Sequence, residues 1–87
     1  MREGKLRHDV ERAAKAEALL REPILVEAFD TLEANFIDAW RNSSVSDTDN
    51  RERIYHLLSA LQALKGHLHT VIEGGKVAQA NLDQQKK

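Results

Sequence analysis

Four histidines and a band of carboxylates are the residues whose types could support metal or acid–base chemistry. His67 and His69 stand two positions apart. On a helix that spacing points them roughly 200° from each other, so they cannot hold one ion together. His56 precedes His67 by eleven residues, His8 lies near the start, and the only carboxylate at helical spacing from His56 is Glu52. These spacings predict surface or boundary histidines and no metal site. Acid–base work needs carboxylates shifted by burial or convergence, yet Glu27, Asp30, Glu33 and Asp38 fall by pattern on the solvated side of an amphipathic helix. That side reads as a plain solvated face, or as a docking surface for a basic segment of a partner. The sequence contains no glycine-rich phosphate loop, no G-x-S-x-G and no Walker-type lysine. With no cysteine there is no thiol catalysis, disulfide or zinc knuckle. A protein that is not an enzyme is expected, with no cofactor, metal or small-molecule substrate.

The chain has 87 residues, enough for one domain, 1–87, at most. A chain this short is marginal as a lone monomer, so self-association is part of the expectation. Leu, Ile, Val and Phe total 22 residues, about a quarter of the chain and above the roughly 20% typical of disordered sequences. No apolar run approaches the ~18 residues of a membrane span, and the charged N-terminus does not resemble a secretory signal. The expected location is the cytoplasm, with no membrane partner. Charge is uneven: residues 1–21 carry six bases and four acids, residues 22–50 one base and seven acids, and residues 51–87 six bases and three acids. A uniformly basic nucleic-acid surface is thereby excluded, while a local one is not.

Three helices are expected, at about 5–21, 23–42 and 48–73. Ala13, Ala14, Ala16 and Ala18 favour the first. Its surface pairs should be Arg7/Glu11, Glu11/Lys15 and Glu17/Arg21. Pro23 ends it at Glu22 and opens the second, whose apolar residues Ile24, Leu25, Ala28, Phe29, Leu32, Phe36, Ile37 and Trp40 repeat at three to four positions. A serine-rich loop follows, and Asp49 with Glu52 resembles a capping box for the third helix. There Ile54, Leu57, Leu61, Leu64, Leu68 and Val71 alternate in steps of three and four, as in a coiled-coil seam. Gly74-Gly75 is the natural stop, although the register continues through Gly75, Ala78 and Leu82. Residues 76–87 read as a polar tail that could extend the helix. The expected fold is all-α: an antiparallel helical hairpin plus an N-terminal helix, three helices in an oligomeric arrangement.

Candidate interfaces follow from this layout. Phe29, Phe36 and Trp40 share a face with Leu32 and should form the hairpin core, but Trp40 at the helix end could anchor a partner. Ser59, Ala63, Gly66 and Thr70 form a small-residue stripe nearly opposite the leucine seam. A glycine there costs ~1 kcal/mol relative to alanine, which suggests close approach by the alanine face of the first helix or by a neighbouring subunit. Arg2, Lys5, Arg7, Arg12 and Lys15 are candidate nucleic-acid contacts, although interleaved acids make a salt-laced solvated helix the plainer reading.

From Ala18 to Ala78 the pattern is EPILVEAFDTLEANFIDAWRNS, then DTDNRERIYHLL, then ALKGHLHTVIEGGKVA. It resembles small uncharacterised helical proteins encoded among the structural and packaging genes of tailed phages and prophages. The resemblance covers most of the chain and carries no catalytic or ligand motif. It implies an oligomerising accessory protein of virion assembly or DNA packaging, located in a bacterial host's cytoplasm or in the virion. Two other functions fit the composition: a monomeric adaptor or inhibitor binding a host protein through the acidic helix face, and a weak nucleic-acid binder using the basic N- and C-terminal segments. No compact helix-turn-helix with a basic recognition helix is present.

Overall fold

A computed structural model describes residues 2–85. It consists of α1 (Arg2–Arg21), α2 (Pro23–Arg41) and α3 (Thr48–Gln85), with no strand among the described residues. Of the expected polar tail, Lys86 and Lys87 lie outside the described residues.

α1 begins three residues before the expected Lys5, with Glu3 in its first turn, where the helix dipole favours an acid. Its surface pairs differ in part from those expected. Arg7 donates to Glu3 at 2.8 Å and Lys5 to Asp9 at 3.3 Å, while Arg21 bonds Glu17 at 3.3 Å as its spacing predicts. The helix stops for a single residue. Glu22 is extended, at φ −69 and ψ 115, because the Pro23 ring disfavours the α conformation before it. Pro23 then occupies the first turn of α2, where no N–H is needed, and Leu25 and Val26 both donate to the Glu22 carbonyl.

α2 ends where Asn42 donates to the Asp38 carbonyl and Ser43 satisfies the Trp40 carbonyl through both its N–H and its hydroxyl. The cap of α3 is Asp47, not the expected pair of Asp49 and Glu52. Asp47 Oδ1 accepts the Asn50 N–H at 3.4 Å, and its carbonyl accepts Arg51 N–H at 3.1 Å.

α3 does not stop at Gly74-Gly75. It runs for 38 residues, about 57 Å at 1.5 Å per residue, and no described glycine has a positive φ. The reason lies across the helix: a Cβ on Gly75 would overlap the Ala13 methyl, and the Asp9 carbonyl oxygen would stand 3.2 Å from it. The close fit of α1 against this turn offsets the low helix propensity of glycine.

α1 packs along the C-terminal half of α3 and α2 along its N-terminal half. Three contacts fix the order. Ala13 lies against Gly75, Glu33 pairs with Lys65 at 3.5 Å, and Arg51 stacks on Trp40. Glu33 on α2 thus meets α3 at Lys65, and Trp40 meets it at Arg51. The more extensive contact is that of α1 with α3, so the expected emphasis on α2 is corrected: the segment expected to trail as a tail is one side of the best-packed pair. The resulting rod measures 63 × 25 × 16 Å with a radius of gyration of 18.4 Å, against about 12 Å for a compact domain of this length.

The core is thin. Leu6, Ala13, Ala16, Phe29, Ile54, Leu61, Ile72 and Ala78 are its buried apolar side chains, and none of the large ones is fully enclosed. Buried polar side chains are absent among the described residues. The leucine seam is only half covered: Ile54 and Leu61 are buried, whereas Leu57 and Leu64 are 40% and 51% exposed.

Candidate interaction surfaces

Trp40 stands in the last turn of α2, held by the Ser43 bonds to its carbonyl, and is 46% exposed. The Arg51 guanidinium lies 4.1 Å from the centre of its ring, a cation–π contact between the last turn of α2 and the first turns of α3. Beside it a cleft of about 330 Å³ is lined by Ile37, Arg41, Ile54, Tyr55 and Leu58. Its walls are almost entirely apolar, and Tyr55 is itself exposed, with its ring edge-on to His56. Such a cleft can take an apolar side chain of a partner, with Trp40 and Arg51 as its polar-edged rim.

Ser59, Ala63, Gly66 and Thr70 are all exposed, and a Cβ on Gly66 would meet nothing within 4 Å. Thr70 turns its hydroxyl inward to the Gly66 carbonyl, at 3.0 Å. The alanine face of α1 does not pack on this stripe. Ala13 and Ala16 are buried on the side of Gly75 and Ala78, where the close approach occurs one helical face away. The stripe is therefore uncovered within the chain.

The five basic residues of α1 do not form one patch. Lys5 and Arg12 flank a shallow cleft with Asp9, His67 and Gly74, and Lys5 is paired with Asp9. Arg7 lies in a different cleft with Glu3, Glu11 and Gln79, paired with Glu3. Arg2 and Lys15 are exposed outside both. Two ion pairs already occupy part of this charge.

All four histidines are exposed, and no group of three metal-ligating side chains converges among the described residues. His56 lies 3.6 Å from Glu52, with both side chains well solvated. On α2, Glu27, Asp30 and Asp38 are exposed and form no ion pair among the described residues, whereas Glu33 reaches Lys65. No described helix is long and apolar enough to cross a membrane.

The exposure of Leu32, Leu57 and Leu64 is a surface that the periodicity did not reveal. A signal was present: the apolar stripe of α3 is wider beside α2 than one helix can cover, because Leu58 extends it on one flank and Leu57 on the other.

No protein-family model matches this chain, and no curated protein or solved structure does either.

Proposed function

We propose that this protein is a non-enzymatic accessory of phage-type assembly or DNA packaging, folded as an antiparallel helical hairpin with an added N-terminal helix and oligomerising through helix–helix contacts. One observation carries the oligomeric part. The solvent-accessible surface is 6599 Å² for a mass of 9.8 kDa, against about 5,200 Å² for a compact monomer of that mass. Leu32, Trp40, Leu57, Leu64 and Val77 are among the large apolar side chains left exposed, and such groups in one small chain call for cover. Size-exclusion chromatography with light scattering at tens of micromolar should give a mass above that of one chain, and a strictly monomeric peak overturns this reading. The phage class rests on the sequence resemblance. Capsid, portal or terminase genes beside the coding sequence are expected, and their absence removes that part alone.

A second reading is favoured by Glu27, Asp30 and Asp38, which are exposed and pair with no cation among the described residues. In it the chain is a monomeric adaptor whose acidic α2 face binds a basic segment of another protein. The nucleic-acid reading has less support, because two ion pairs already occupy part of the basic charge of α1. A salt-dependent gel shift with slope near zero removes it.

A further inference from the structure

The apolar residues of α3 form two rows, each repeating every seven positions: Ile54, Leu61, Leu68, Gly75 and Leu57, Leu64, Val71, Ala78. The first row is buried or half-buried throughout. The second changes character midway. Beside α1, Val71 is half-buried and Ala78 buried, whereas beside α2 Leu57 and Leu64 are 40% and 51% exposed. α2 meets the first row from its other flank, where Leu58 and Lys65 are half-buried. On α2 itself Leu25, Leu32 and Ala39 make a row of the same seven-residue period, with Leu32 44% exposed and Ala39 exposed.

These uncovered rows lie on one side of the α2/α3 pair. Leu57 and Leu64 are displaced by roughly 80° around α3 from Ile54, Leu58, Leu61 and Lys65. Leu32 is displaced by about the same angle, in the same sense, around α2 from Phe29, Glu33 and Trp40. In the antiparallel hairpin proposed above the two helices run in opposite directions, so displacements of equal sense fall on the same side. Ile37 and Tyr55, displaced in the other sense, do line one cleft. The Glu33–Lys65 pair sets the level, so their chain neighbours Leu32 and Leu64 stand beside each other.

We propose that this side, opposite the Trp40 cleft, seats a second copy of the chain in a four-helix arrangement in which the α2 of each copy lies on the α3 of the other. The proposal rests on the oligomeric reading above and names its contact face. Charge selects the partner and its orientation. α2 carries four acids and one base, while α3 from Asn50 to Ile72 carries three bases, one acid and three histidines. A twofold axis parallel to the helices alternates these helices around the bundle, whereas an axis across them stacks one acidic α2 on the other. The surface excess of about 1,400 Å² over a compact monomer exceeds the ~800 Å² per partner of a standard interface.

The protein has no cysteine, so single cysteines report contacts cleanly. Leu32→Cys and Leu64→Cys chains, mixed and oxidised, should give mainly the mixed disulfide dimer; a dominant Leu64→Cys homodimer overturns the orientation. In light scattering, Leu57→Asp with Leu64→Asp should weaken self-association at least tenfold with helicity kept, while Gly66→Leu leaves the mass unchanged. An oligomer that survives the double substitution overturns this face but not oligomerisation, as does one broken instead by Gly66→Leu. Should the double variant lose its helicity, the disulfide exchange decides. Wild-type chains that stay monomeric at tens of micromolar overturn both readings and leave the face to a different protein.

Discussion

Beside α1 the long helix presents Gly75 and Ala78, and beside α2 it presents Ile54 and Leu61. α1 answers with Leu6, Ala13 and Ala16, and at Gly75 the two backbones come close enough that a single added methyl would collide. At that distance one helix covers both heptad rows of its neighbour, and Val71 and Ala78 are shielded with Gly75. α2 answers with Phe29, Ile37 and Trp40, which fill space between the axes but hold them apart. The wider seam leaves Leu57 and Leu64 open on one side and the Trp40 cleft on the other. The closer backbone approach at Gly75 thus accompanies the more complete contact, since coverage depends on backbone approach as well as on side-chain volume. The α2 half is the half left with surface to offer.

Substitutions should separate the two halves. Phe29→Ala removes the buried aromatic of the α2 seam and should cost about 3 kcal/mol, read as a lower urea midpoint, with amide protection lost first in α2 and in residues 48–65. If protection falls equally along α3, the halves fold as one unit and the contrast fails. Gly75→Leu strikes the other half. Its side chain has no room beside Ala13 and Asp9, so overpacking of about 2–3 kcal/mol is expected, with α1 and residues 68–85 losing protection while the Arg51–Trp40 contact persists in Trp fluorescence. Unchanged stability would mean that α1 does not seat on α3 this closely in solution.

The helical periods of α2 and α3 were legible because each carries an apolar stripe at three- to four-residue spacing, α1 was legible from its alanines, and Pro23 marked the first boundary. The run of α3 through Gly74-Gly75 was legible only in part: the apolar register continued through Gly75, Ala78 and Leu82, but the glycine pair was read as the natural stop. A pair of glycines reads as a stop by local propensity, and only the approach of Ala13, sixty-two positions away in the chain, makes a glycine the fitting residue there. The close approach was anticipated as a type of contact but assigned to Gly66, since spacing shows that small residues share a face and does not show which face another helix takes. The exposure of Trp40 was legible only as the alternative to the expected core position, from its place at a helix end. The exposure of Leu57 was not, because a heptad seam has two flanks and the sequence does not say which one a single partner leaves open.

A smaller effect tests the local start of the α2 half. Asp47→Ala removes the acceptor for Asn50 N–H and should cost about 1 kcal/mol, with fraying confined to the first turn of α3. Asp49→Ala should cost less, since that carboxylate accepts none of the described backbone bonds and acts only through the helix dipole. Equal losses would restore the capping box that the spacing suggested.

The finest distinction lies between adjacent glycines. Gly74→Ala and Gly66→Ala each add a methyl to open space in a regular helical turn, where alanine outranks glycine by up to ~1 kcal/mol. Both should raise the melting temperature by a few degrees. Gly75→Ala adds the same methyl one residue along, gains the same propensity, and meets Ala13 and the Asp9 carbonyl. Its net effect should be destabilising, because the backbone of α1 cannot yield as a flexible side chain would. Opposite signs at two neighbouring positions cannot come from helix propensity alone. Two gains of equal size would place α1 farther from α3, and the difference between the halves would then lie in composition without a difference in approach.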